Sequence, residues 1–155
     1  MRYKIIAVGN LKHTSFTKVA DHYLQRLNGL SKVDLIEVRP SRKKLLRERQ
    51  YEDSKLLLNH AKGHVVVLDE RGRDWRSRNL AKHIGDLETR GVSLISFLIG
   101  GAEGHSKDLA ISKDADDRWS LSPMTLPHEL ARIILVEQLY RAETIRINHP
   151  YHRDG

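Results

Sequence analysis

Two short runs, Val65-Val66-Val67-Leu68 and the segment Val92 to Ile99, are apolar without the alternation of a half-exposed strand. Strands of that kind are buried on both faces, which is the situation in parallel sheets covered by helices above and below. The rest of the chain supplies the matching pieces. Tyr3 to Val8, Val33 to Val38 and Arg118 to Leu121 read as further strands, and the run of apolar residues starting at Val65 belongs to a strand over His64 to Asp69. Between them, apolar residues fall at helical spacing. Phe16, Val19, Ala20, Tyr23, Leu24 and Leu27 follow Thr14 and Ser15, residue types that cap helices. Leu45, Leu46 and Leu56 to Leu58 precede Gly63, and Leu80, His83, Ile84 and Leu87 stop at Gly91. The pattern predicts a short helix from Ser106 through Ala115 and a last one from about Pro127 to Ala142, followed by a tail. The fold class is α/β, a mainly parallel sheet with helices on both faces. At 155 residues the chain has the size of one domain, spanning 1–155.

Composition removes whole classes of chemistry. The chain has no cysteine, which excludes disulfide frameworks, thiolate zinc sites and cysteine nucleophiles. No stretch approaches the ~20 apolar residues of a membrane span, and Met1 to His13 mixes Lys and Arg with apolar residues, unlike a secretory core. The expectation is a soluble, unexported, cytoplasmic protein that does not engage a membrane. A formal net charge of +7 makes a polyanion the first partner to consider. The charge is also grouped: Arg39, Arg42, Lys43, Lys44, Arg47 and Arg49 form one cluster, and Arg71, Arg73, Arg76 and Arg78 a second. Such clusters either grip a phosphate backbone by displacing its counterions or form solvated faces of a loop and a helix start.

In a parallel sheet, ligands bind beyond the carboxyl ends of the strands, so Leu68 to Arg73, Ile99 to Gly104 and Leu121 to His128 carry the information about function. Gly100-Gly101-Ala102-Glu103-Gly104 follows a buried strand and lets the backbone come close to a ligand, or forms a plain strand-to-helix turn. Its spacing matches neither G-x-G-x-x-G nor the phosphate-binding G-x-x-x-x-G-K-[ST], which disfavours a nucleoside triphosphate. Leu121-Ser122-Pro123-Met124-Thr125-Leu126-Pro127 has two prolines that oppose helix and ladder, and its apolar side chains need a cover. A flat aromatic ligand such as adenine would provide one; packing on the protein itself is the other reading. In the closing helix, Ile133 to Val136 go round a full turn, which predicts burial on two sides, by the chain's own sheet and by a neighbour, most simply in a twofold dimer.

Those loops occur together with Leu126-Pro127-His128-Glu129-Leu130, Glu137-Gln138-Leu139-Tyr140-Arg141-Ala142 and Asn148-His149-Pro150-Tyr151-His152-Arg153. In this combination the chain resembles the RlmH type of SPOUT methyltransferase over its whole length. The resemblance implies a C-terminal trefoil knot, S-adenosylmethionine as cofactor, and methyl transfer to N3 of a pseudouridine in large-subunit ribosomal RNA by a homodimer acting on the assembled ribosome. It places Leu68, Gly100, Leu121, Ser122, Pro123, Met124, Thr125 and Leu126 around the cofactor, and gives the tail a part in the substrate site through His149, Tyr151, His152 and Arg153. Ala102 departs from the family, where proline is frequent.

A sulfonium methyl is already activated, so the protein must align the reactants and provide the nucleophile in reactive form. An imide nitrogen such as N3 attacks poorly until its proton leaves, which calls for a general base or a cation that favours the anion. Glu103, His128 and Arg132 are the candidates; a helix-cap partner, a first-turn residue and an ion pair are their structural alternatives. His149 and His152 lack the accompanying carboxylate or thiolate spacing of a metal site, so no metal is expected. Trp75 and Trp119 are read as packing residues. Two other functions fit the same features: methylation of a ribose 2′-hydroxyl, and a ribosome-binding module without chemistry.

Overall fold

The computed structural model describes residues 1–107 and 114–153. Its strands are β1 (Arg2–Val8), β2 (Val33–Val38), β3 (His64–Asp74), β4 (Leu94–Ile99) and β5 (Asp117–Ser120). Its helices are α1 (Thr14–Asn28), α2 (Leu46–His60), α3 (Ser77–Thr89) and α4 (His128–Arg146). The strands form one sheet in the order β2-β1-β4-β3-β5, and every pairing is parallel. The short helix expected from Ser106 through Ala115 falls mostly on residues 108–113, outside the described residues.

Side chains alternate across the sheet and meet helices on both sides. Tyr3, Ile5, Ala7, Val66, Ile95, Phe97 and Trp119 pack under α1, α3 and α4, whereas Ile6, Val8, Val65, Val67 and Leu98 pack with Leu57 of α2 on the other face. The unbroken apolar runs are therefore strands with a core on each side. Trp119 is fully buried and donates from Nε1 to Asp117, and the Trp75 ring stacks on His83 at 4.6 Å, so both tryptophans serve packing.

Four expectations change. α2 buries only Ser54 and Leu57, and Leu45 and Leu46 stand 63% and 49% exposed, so they belong to the surface and not to a core-facing stripe. No side chain caps α1: His13 precedes it in extended conformation, and Thr14 is already helical. β3 does not stop at Asp69. After a bulge it pairs again with β5, Arg73 with Trp119 and Asp74 with Ser120, which puts Arg71 and Arg73 on the strand's polar extension. Finally, the apolar turn of α4 is covered within the chain: Ile133, Leu135 and Val136 are buried, the last two in the core shared by the sheet, α1 and α3, and only Ile134 stays half-buried. The two-sided burial inferred from Ile133 to Val136 is real, but it does not require a second copy.

α4 is also fixed by polar contacts. The Tyr3 hydroxyl donates to Glu143, and Arg146 pairs with Glu143 at 2.9 Å and with Glu88. Burial, followed by the neighbouring Glu143, pushes the Tyr3 hydroxyl well above its usual range, so it remains a donor. Among the described residues no helix is long and apolar enough to cross a membrane.

Candidate active site

The carboxyl ends of β3 and β4, the loop 121–127 and the first turn of α4 enclose a cavity of about 910 Å³. The three segments singled out from the sequence thus meet in one place. Leu68, Gly100, Leu121, Ser122, Met124, Thr125 and Leu126 all line it; Pro123 lies outside the lining. The glycine loop forms one wall. Gly104 donates its amide to the Gly101 carbonyl at 3.0 Å and adopts φ +75°, a conformation glycine takes at no steric cost. A Cβ on Gly100 would stand 3.1 Å from the Gly104 carbonyl carbon, so a side chain there would crowd the folded-back loop.

The proline loop has its own internal order. Ser122 Oγ accepts the Met124 amide at 3.0 Å, and its carbonyl accepts the Ser120 hydroxyl at 2.8 Å. The Thr125 hydroxyl donates to Glu70 at 2.7 Å, joining this loop to the extension of β3. Met124 is 71% exposed, so the chain's own packing does not cover it.

The three candidate catalytic residues have different surroundings. Glu103 lines the cavity, but Arg49 takes both carboxylate oxygens, at 2.9 and 2.6 Å, and this hydrogen-bonded pairing holds the carboxyl below its ordinary range. An ionised, doubly bonded carboxylate is a weak proton acceptor. Arg132 is buried outside the cavity lining and donates to Glu37 at 2.6 Å and to the Gly9 carbonyl at 2.7 Å, tying α4 to the ends of β1 and β2. His128 opens α4, lines the cavity, and its imidazole makes no hydrogen bond among the described residues.

His105 is a lining residue that the sequence did not reveal. Its Nε2 lies 3.0 Å from the Leu68 carbonyl, where it donates, and burial lowers its pKa, favouring the neutral ring. A single histidine after a glycine loop carries no sequence signal of its own; only the fold brings it under Leu68.

The tail lies elsewhere. Tyr151 donates its hydroxyl to Glu137 at 2.9 Å, packs on Tyr140 at 4.6 Å, and has the Arg141 guanidinium 5.0 Å from its ring centre; burial raises its hydroxyl pKa. His149 accepts the Tyr151 amide at Nδ1, His152 is half-buried and Arg153 is exposed. The tail turns back along α4, so that Tyr151 lies beside Glu137 and Tyr140 near the middle of the helix. None of the four tail residues lines the cavity. Among the described residues no three His, Asp or Glu side chains gather as a metal ion would require.

Fold and cavity define an α/β protein with an open cavity at the carboxyl edge of a parallel sheet, between a glycine wall and a proline loop. The chain belongs to the SPOUT methyltransferase family: the family model described as "Predicted SPOUT methyltransferase" matches residues 1–152. Its relatives include proteins named ribosomal RNA large subunit methyltransferase H. The one from Xylella fastidiosa (strain 9a5c) is 37% identical over 162 residues, covering 99% of this chain and 98% of its own. That from Gloeobacter violaceus is 38% identical, with 98% and 99% covered, and that from Nitrosomonas eutropha 39%, with 99% of each covered.

Proposed function

We propose that this methyltransferase transfers a methyl group from S-adenosylmethionine to N3 of a pseudouridine in large-subunit ribosomal RNA, acting on the assembled ribosome in the cytoplasm. The observation that carries the reading is the convergence of Leu68, Gly100 and the 121–126 loop on one cavity. The residues present fit the cofactor. The volume lies within the range of about 300–1,000 Å³ usual for cofactor sites, the walls are mainly apolar with open backbone groups, and a Cβ at Gly100 would displace the wall. When bound, S-adenosylmethionine supplies a methyl group already activated by its sulfonium. The chain's part is to orient the base, exclude water and take the N3 proton.

His128 is assigned that proton because it lines the cavity and is not consumed by a structural contact, whereas Glu103 and Arg132 serve as tethers of the glycine loop and of α4. The trefoil knot belongs to the same reading. Its support is membership of the family, whose model matches residues 1–152. So does the homodimer. The tail residues His149, Tyr151, His152 and Arg153 do not line their own chain's cavity, and in this reading a twofold partner supplies them to it. The continuous five-strand sheet supports one domain over 1–155.

The test is methyl transfer with labelled cofactor on intact ribosomes, separated subunits and naked RNA, followed by mass spectrometry of the modified nucleoside. Label on N3 of a pseudouridine in intact ribosomes is expected. Label on a ribose oxygen would reassign the substrate, and absence of both transfer and cofactor binding would reduce the protein to a ribosome-binding module.

A further inference from the structure

Gly100, Gly101, Ala102 and Gly104 have no side-chain atom beyond Cβ, so the shape of the cavity wall must be imposed largely from outside it. Inside the loop there is one turn bond, from Gly104 to Gly101. Outside, every bond described for Glu103 goes to the start of α2, to Arg49 and Gln50. Arg49 donates from Nε to Oε2 at 2.9 Å and from Nη2 to Oε1 at 2.6 Å, and Gln50 donates from Nε2 to the Glu103 carbonyl at 2.6 Å.

The remaining guanidinium nitrogen is used as well. Arg49 Nη1 donates to the carbonyls of Lys43 at 2.9 Å and Lys44 at 2.6 Å. That turn is itself fastened to α2, since Ser41 donates its amide to Asp53 at 2.7 Å and its hydroxyl to Glu52 at 2.9 Å. A planar fork that satisfies two carboxylate oxygens and two carbonyls at once fixes distance and direction together, which an ammonium cannot do.

We infer that Arg49 is a positioning residue for the methyl donor, holding the glycine wall in its receiving shape through Glu103 while anchored on the 43–44 backbone. The inference rests on the reading of the cavity as the S-adenosylmethionine site. It accounts for a carboxylate that faces the cavity yet is unavailable as a base, and it makes Arg49 part of the cofactor site although it does not line the cavity.

The test is calorimetry with S-adenosylhomocysteine on the full chain, paired with steady-state transfer to ribosomes. Arg49→Gln, Arg49→Lys and Glu103→Gln should each weaken binding about tenfold, with kcat at saturating donor within about twofold of the parent. The double variant Arg49→Gln/Glu103→Gln should be no worse than Arg49→Gln alone, because that change already breaks the link to Glu103. Lys43→Ala, which keeps the carbonyl, should bind like the parent and serves as the control for the basic turn. Unchanged affinity in the three single variants, additive losses in the double variant, or a fall in kcat at unchanged affinity would each overturn the inference. If the parent chain itself binds no S-adenosylhomocysteine, the failure lies with the cofactor reading, which separates the two.

Discussion

Single residues show how far chemistry can be read ahead of structure. Glu103 is visible in the sequence as the one long side chain of a glycine loop, but its partner Arg49 stands 54 positions earlier, among basic residues that look alike. What distinguishes Arg49 from Arg42 is a set of backbone carbonyls brought under it by the fold. Arg132 was legible as a cation near the site, yet its direction, toward Glu37 and Gly9, depends on strands more than 90 residues away. His105 leads to a pH prediction. Burial, the largest influence, depresses its pKa below the ordinary 6.5, outweighing the Leu68 carbonyl and Asp69, which raise it; Arg118 adds to the lowering. His83 is depressed by burial as well, against the pull of Asp117. A histidine that resists protonation only when folded contributes nothing above pH 6.5 and costs stability as pH falls through and below that value. The unfolding midpoint in urea should therefore fall as pH drops below 6.5, and His105→Gln should flatten the slope; a midpoint independent of pH in the parent would contradict this assignment.

At the scale of elements, the order of strands and helices was legible because each buried strand leaves an apolar run and each helix a spaced one. Contacts that join elements were not. The extension of β3 over 70–74 reads as a polar loop, since the sequence contains no hint that the chain rejoins β5 after a bulge. Likewise the all-round apolar turn of α4 states that the helix is enclosed, but not by what: α1 and α3 provide the cover assigned in advance to a partner. Gly72 marks the tightest of these joints. A methyl group there would meet the Trp119 carbonyl carbon at 2.6 Å and the Arg118 carbonyl at 2.8 Å, all backbone atoms with little room to yield. Gly72→Ala should lose about 1–3 kcal/mol of stability in urea unfolding, through overpacking. Because β5 leads directly into the proline loop, weaker S-adenosylhomocysteine binding should accompany the loss. Parent-like stability would show that β5 does not pass as closely as described.

For the molecule as a whole, the net charge of +7 and the exposed Arg42, Lys43 and Lys44 favour a polyanionic partner. Replacing Lys43 and Lys44 together by Glu should weaken ribosome binding and lower its logarithmic salt dependence by about 1–2, as expected for two lost phosphate contacts. Cofactor affinity should stay put, since Arg49 reaches only the carbonyls of those two residues. Assembly has its own probe. Ile134 is the one member of the apolar turn that the chain leaves half-buried, and Ile134→Asp should give monomers in ultracentrifugation that transfer no methyl. A fully active monomer would remove the need for a second copy. That none of the four tail residues lines its own chain's cavity extends this to mixtures. One preparation crippled by Gly100→Arg and another by Tyr151→Ala, each inert alone, should complement each other after denaturation and joint refolding. Random pairing would regenerate one sound site in each mixed pair, or about a quarter of normal turnover.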